Sequence, residues 1–479
     1  MNKNLTILQV NDTHSYLEPH QELFWTANGA KYEIAGGYAR IANLVQEIKR
    51  NKKRVLTIDC GDTIHGTYPA VKSEGGNIVS VLKKMPFDAM TAHWEFAYGP
   101  EKFIDFTNEL NYPMLAINCY REGSDELVFD PYLIKDCAGL KIGMIGIAAT
   151  IVDKVMPASF SEGLYFTLGD KELPIYINKL KQEEKVDVIV VLSHLGFPQE
   201  LKLAREVEGI DVLLSGHTHN RVYRPAVVND TIIIQSGCHG SFVGRLDLEI
   251  TDKKVVDYQH SLIKISQDLD QDQGVKKIID NIMQPYREEL GQVLGYTETA
   301  LNRNLVLEAT MDNFLLKSIL DLTGAEMAFS NGWRYGAPVV PGPITLNDLW
   351  NIIPVNPPIS TCKLTGDELW QMMEENLERT FARDPYNQMG GYVKRSRGIN
   401  LYFKIENPEG QRIEKLFVQG TEVDRDQVYD TAFVTTQGVP AKYGSERQKL
   451  DLKAIANLKR FLGEKKTISA ELEGSIVAV

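Results

Sequence analysis

The first 260 residues return repeatedly to short apolar runs, at residues 6–10, 55–59, 113–117, 142–147, 186–192, 212–215 and 232–235. Several, such as VLTID and VIVVLS, are apolar at nearly every position. A strand with one wet face alternates, so a run without alternation needs cover on both faces. Segments 38–49 and 171–184 lie between the runs and carry apolar residues at helical spacing. This pattern predicts an α/β layered fold, with sheets covered by helices.

The character changes at residues 266–291, a polar stretch with charges of both signs and apolar residues at helical spacing. It reads as a linker helix. The predicted organisation is a first domain over residues 1–265, a linker over 266–292 and a second α+β domain over 293–479. Helices are expected near 308–323 and 365–379, and strands near 398–405, 414–418 and 431–435. All nine histidines lie between His14 and His260. Imidazole chemistry therefore belongs to the first half, and the second half must contribute something else.

The net charge of −12, from 64 acids against 52 bases, disfavours a nucleic-acid partner, which needs a basic face. No run approaches the ~18 apolar residues of a membrane span, so no membrane partner is expected. The sequence enters its first strand within four residues. That leaves no room for a signal peptide and predicts a cytoplasmic protein, or an extracytoplasmic one if a leader has been trimmed. The five cysteines are scattered without a CxxC pair and read as reduced, mostly buried thiols.

Polar residues that end the apolar runs carry the chemical signal. Asp12 and His14 follow the first run (QVNDTH) and Asp62 the second (IDCGDT). His93 lies in MTAHWEFAYG, His194 in VVLSHLG, and His217 and His219 in LLSGHTH. Open α/β sheets place ligand sites at the carboxyl ends of their strands. Taken singly, Asp12 reads equally well as an Asx-turn and a lone histidine as a satisfied turn residue. Together, two carboxylates and five imidazoles suit two divalent ions, because four ligands would saturate a single tetrahedral zinc. Mixed Asp/His ligation fits manganese, zinc or iron better than magnesium or calcium.

These blocks resemble those of the calcineurin-like metallophosphoesterases, and with its second half the chain resembles the 5′-nucleotidase family throughout. The resemblance implies a four-layer αββα first domain and a 5′-nucleotidase C-terminal-type second domain. It also implies that Asp12, His14 and His219 hold one metal, that His194 and His217 hold the other, and that Asp62 bridges. The family's GNHE block supplies a metal-binding Asn and a catalytic His. Here it reads Ala92-His93-Trp94-Glu95, so His93 takes the place of the ligand Asn and Trp94 that of the catalytic His. An indole N–H is too weak an acid to protonate an alkoxide, which leaves His93 as the other candidate acid. This block is similar to that of the sulfur-oxidation thiosulfohydrolases, relatives on the same two-domain plan.

In the second half, Arg334 (SNGWR) and Arg379 resemble the family's anion-binding arginines. Tyr392 (GGY) resembles its base-stacking ring. Lys394, Arg395 and Arg397 add charge to this basic group, with Arg395 a further candidate substrate contact, although charge runs such as KRSR are usually solvated surface. The family's GGDGF block is not recognisable, and Tyr443 is the candidate stand-in for its ring. The resulting expectation is a two-metal, 5′-nucleotidase-like hydrolase of a small anionic phosphate ester. The alternatives are cleavage of an S-sulfonate and a non-catalytic binding protein.

Overall fold

The computed structural model describes residues 2–479, which divide into two compact units. The first holds the chain to His20 and Ile34–Pro285; the second holds Gln21–Glu33 and Tyr286–Val479.

Two sheets make the centre of the first unit. In one, Lys3–Val10 runs parallel to Val55–Asp59 and antiparallel to Phe242–Thr251. In the other, Lys141–Ile147, Val188–Ser193, Val212–Ser215 and Thr231–Ile234 are parallel neighbours. Strand residues alternate between the two faces. Leu5, Ile7, Leu56 and Ile58 from the first sheet pack with Met144, Val188, Val190 and Leu214 from the second. On the far side of the second sheet, Ile189, Val191 and Leu213 pack on Leu173, Ile177 and Leu203 of helices Glu172–Gln182 and Phe197–Glu206. Helix Tyr38–Asn51 packs on Val55–Asp59 of the first sheet. Helix, sheet, sheet and helix therefore form four layers, and burial on both faces explains the unbroken apolar runs.

Three features differ from the expectation. Residues 113–117 form no strand. Their backbone bonds split between the two sheets, with Leu115 N–H on the Met90 carbonyl and Ile117 N–H on that of Gly146, so no ladder develops. Residues 266–285 cluster with the first unit rather than spanning a gap. Helix Gln273–Met283 is capped by Asp272, whose carboxylate accepts from Val275 N–H and from Gln46, and it packs on helix Tyr38–Asn51. Finally, the hairpin of His20–Thr26 and Gly29–Ala35 has its Gln21–Glu33 portion in the second unit.

In the second unit, Met327–Ser330 runs parallel to Val428–Val434 and antiparallel to Arg395–Arg397. Helix Gly366–Phe381 starts at a reciprocal cap in which Thr365 and Glu368 satisfy each other's backbone N–H. Its Leu369, Met373 and Leu377 pack with Phe329, Leu364 and Phe433. A buried ion cluster lies nearby. Asp312 accepts from Arg303 at 3.0–3.2 Å and faces Arg395 Nε at 3.3 Å. Asp312→Ala leaves both arginines buried without their counter-charge. It should lower the unfolding free energy by about 3–5 kcal/mol in denaturant titration.

Candidate active site

Each candidate ligand lies just beyond the carboxyl end of a strand. Asp12 and His14 follow Lys3–Val10, Asp62 follows Val55–Asp59, and His93 follows Ala89–Met90. His194 follows Val188–Ser193, while His217 and His219 follow Val212–Ser215. Two sheets thus feed one site. The turns are tight: Asp12, His14, Asp62, His217 and His219 all adopt positive φ, between 47° and 72°. Non-glycine residues adopt such a conformation at a cost of order 1 kcal/mol each, and it persists where the surroundings enforce it. Here the loops are laced together. Asp12 N–H donates to the Gly61 carbonyl and His14 N–H to that of Asp62, each at 2.8 Å, while His217 N–H reaches the Asp12 carboxylate at 3.0 Å.

The side chains converge into two groups, Asp62, His93, His194 and His217 on one side and Asp12, His14, Asp62 and His219 on the other. In each, the donor atoms lie within 4.8 Å of one another, and Asp62 belongs to both. Its Oδ1 is 3.1 Å from His93 Nδ1; its Oδ2 is 3.3 Å from His194 Nε2 and 3.8 Å from His14 Nε2. His219 Nε2 lies 3.2 Å from Asp12 Oδ1 and 3.1 Å from His14 Nε2. All seven side chains are buried or nearly so.

Electrostatics follow from that burial. Burial alone would raise the Asp62 carboxyl, but the charges of His93 and His194 hold it well below the usual carboxylate range. Burial likewise opposes a charged His194, yet Asp62 and Asp12 push it up to about 10. The ring of His194 is oriented from behind. Its Nδ1 is 2.5 Å from the Cys60 carbonyl, which can only accept, so Nδ1 keeps a proton and Nε2 is the ring atom turned to the site, where a cation would take the place of its proton. His93 Nε2 and His194 Nε2 are buried without hydrogen-bond partners. Such orphans, beside two carboxylates and further imidazoles, fit divalent cations: each group offers N and O donors in tetrahedral number.

Glu95 was not singled out by the sequence, although an acid inside an apolar block is a visible signal. It is fully buried and accepts from the backbone N–H of His93 at 2.7 Å, Thr63 at 2.5 Å and Asp62 at 3.3 Å. One carboxylate thus ties together the loops bearing Asp62 and His93. Trp94 donates its backbone N–H to Asp62 Oδ1 at 2.9 Å. Its indole stacks on His65 at 4.7 Å and 8°, with Phe160 edge-on at 5.7 Å. His65, also missed in the sequence, sets its Nδ1 3.0 Å from the Tyr98 hydroxyl.

In the second unit, Arg334 and Tyr392 meet, with the guanidinium 5.9 Å from the ring centre. A side chain at Gly391 would come within 2.6 Å of Arg334 Nη1, so glycine leaves the arginine its place. Arg379 lies on helix Gly366–Phe381, half exposed, 3.2 Å from Glu375. Arg395 departs from its expected role as a substrate contact. It is buried, and its donors serve the Leu305 and Val306 carbonyls and Asp312, so it is an interior strut beneath Tyr392. Tyr443 packs in the core and donates its hydroxyl to Glu375 at 3.2 Å.

Residues 5–221 match the model of the calcineurin-like phosphoesterases, and residues 290–437 that of the 5′-nucleotidase C-terminal domain. The chain thus carries a calcineurin-like phosphoesterase domain followed by a 5′-nucleotidase C-terminal domain, the make-up of a metal-dependent phosphoester hydrolase. The trifunctional nucleotide phosphoesterase YfkN of Bacillus subtilis is 24% identical over 99% of this chain, which spans 35% of that protein's length. Human 5′-nucleotidase is 24% identical over 87% of the chain and 78% of its own length. Among solved structures, the Thermus thermophilus sulfate thiohydrolase SoxB superposes with a TM-score of 0.92 at 22% identity, covering 99% of this chain and 96% of its own. A 5′-nucleotidase precursor, also from Thermus thermophilus, reaches 0.86 at 24%, covering 100% and 99%. At these identities the structural likeness is one of fold. Among the described residues, no helix is long and apolar enough to cross a membrane.

Glu95→Gln keeps the size of the side chain but removes one acceptor from the two ligand loops it ties together. Its affinity for manganese should fall about tenfold or more, read by equilibrium dialysis, with the fold retained by circular dichroism.

Proposed function

We propose that the protein is a two-metal hydrolase of small phosphate esters, of the 5′-nucleotidase kind. The observation that carries this reading is the sharing of Asp62 between two four-donor groups. In it, Asp12, His14 and His219 hold one divalent ion, His93, His194 and His217 hold the other, and Asp62 bridges them. The mixed donors favour manganese, zinc or iron. Two such ions, when bound, supply Lewis acidity to a phosphoryl group and activate the attacking water. The rest falls to the protein. The Cys60 carbonyl keeps His194 in the ligating tautomer, and the Glu95 carboxylate holds the loops of Asp62 and His93 in register. In the second unit, Arg334 and Arg379 bind the anionic substrate and Tyr392 packs against it. The family's GGDGF block is not recognisable, and Tyr443, the candidate stand-in for its ring, packs in the core, so a nucleotide is one substrate among several small esters.

A second reading, cleavage of an S-sulfonate, is favoured by Trp94. An indole stacked on His65 offers no proton where the family's catalytic histidine stands, so a departing alkoxide finds no acid there. A thiolate or an acidic phenolate needs none.

Two measurements test these proposals. Asp62→Asn should lose both metals, read by elemental analysis; full metal content in that variant would contradict the bridge. With manganese present, hydrolysis of aryl phosphates should depend steeply on leaving-group acidity. Proton donation is worth about 10²–10⁴-fold for a basic leaving group, so nucleoside monophosphates should be poor substrates. His93→Asn combined with Trp94→His should raise their turnover. A flat dependence in the native enzyme means that a general acid, such as His93 released from the metal, is present after all.

A further inference from the structure

Lys394 is a buried amine without a carboxylate of its own. It is only 6% exposed, and its ammonium donates to one acceptor, the Gln437 carbonyl. Among the described residues, no carboxylate pairs with it. The acid that acts on it, Glu375, is already shared by Arg379 at 3.2 Å, Lys442 at 2.8 Å and the Tyr443 hydroxyl at 3.2 Å. Burial, with the like charge of Arg379 beside it, brings the lysine down to about 7. Lysine is rarely buried unless paired, because an uncompensated ammonium pays its full desolvation cost. Two of its three donors stay unused.

Its position in the fold gives those donors a direction of use. Asn331–Arg334 follows strand Met327–Ser330, and Thr435–Gln437 follows strand Val428–Val434, which is parallel to it. The antiparallel neighbour Arg395–Arg397 sets Arg395 opposite Ser330, so Lys394 enters at that same sheet edge. Residues 392–394 lie along the last turns of helix Gly366–Phe381. Lys394 N–H donates to Asn376 at 2.7 Å, and the Tyr392 carbonyl accepts from Thr380 at 3.0 Å. The lysine is thereby fixed beside Arg379 and two residues from Tyr392.

We propose that Lys394 and Arg379 form an oxyanion subsite in the C-terminal unit that binds a second anionic group of the substrate, a carboxylate, sulfonate or phosphate apart from the group that is cleaved. Its role in substrate choice rests on the phosphoesterase reading; its binding of an oxyanion does not. Lys394 supplies a dry, fixed amine whose proton a bound anion holds in place, and Arg379 supplies the solvent-facing fork that admits the ligand. The occupant also neutralises the buried ammonium, so substrates with one anionic group are disfavoured against those with two.

Two experiments on the full chain separate the subsite from the reaction. In the first, sodium sulfate is titrated against thermal unfolding, with sodium chloride at matched ionic strength as control. Sulfate should raise the midpoint of the native protein and do so far less in Lys394→Met and in Lys394→Gln, the second of which keeps a donor for Gln437. Without sulfate, Lys394→Met should melt no lower than the native chain, because an uncompensated buried charge has gone. Equal sulfate shifts in native protein and variants overturn the subsite. The second compares 4-carboxyphenyl phosphate with its methyl ester, whose phenol is the more acidic leaving group, so a preference for the carboxylate cannot come from leaving-group acidity. The native enzyme should prefer the carboxylate, and Lys394→Met should reduce that kcat/KM preference about tenfold or more, mostly through KM, as expected for one lost charge-assisted hydrogen bond. An unchanged preference overturns the role in substrate choice. If the native enzyme cleaves neither ester, the phosphoesterase reading fails, and the sulfate titration decides the subsite.

Discussion

The first unit is organised around a carboxylate that no single partner can satisfy. Asp62 faces His93, His194 and His14 and takes the Trp94 backbone N–H, all without bulk water. Charge packed this densely is stable only if each element carrying it is fixed. The four layers provide the fixing: two sheets press face to face, and their parallel strands end at one edge. The strained turns of Asp12, His14, Asp62, His217 and His219 are a consequence. A relaxed turn would carry the side chain away, so interloop hydrogen bonds and the buried Glu95 hold each in place.

The second unit handles charge in the opposite way. It contains no histidine, and its buried cations are arginines and a lysine. Asp312 is shared by Arg303 and Arg395 in the interior, and the cluster stiffens the segment under Tyr392 and Trp333. Nothing comparable neutralises Lys394. The contrast within one unit separates structural from ligand-directed charge. A cation that serves stability packs against a carboxylate, whereas one that serves an anion leaves the counter-charge to the ligand.

Trp94 links the two themes. Its backbone supports Asp62 while its side chain closes an aromatic stack with His65 and Phe160. The residue is thus integral to the metal-binding loops even though it supplies no acid. On the proposed reading, a chain that keeps a metal centre but alters the proton donor has changed which bonds it can break more than whether it can break them.

The sequence by itself determined the layered first half and the places of the seven candidate ligands. All but one of the apolar runs are strands, covered on both sides, and the polar residues that end them fall at a sheet edge. Local pattern also located helix Gly366–Phe381 and the strands around it to within a few residues. What it could not carry was pairing across distance. Residues 113–117 read as a strand because they are apolar, but their hydrogen bonds are divided between two sheets. The polar stretch after residue 266 read as a linker because its apolar stripe had no visible partner, and helix Tyr38–Asn51 supplies that partner. Arg395 and Lys394 are neighbours in one basic run, indistinguishable by composition. Only the tertiary structure decides that the first pairs with Asp312 and the second pairs with no carboxylate, because neutralising a charge depends on what folds against it, and that partner lies far away along the chain.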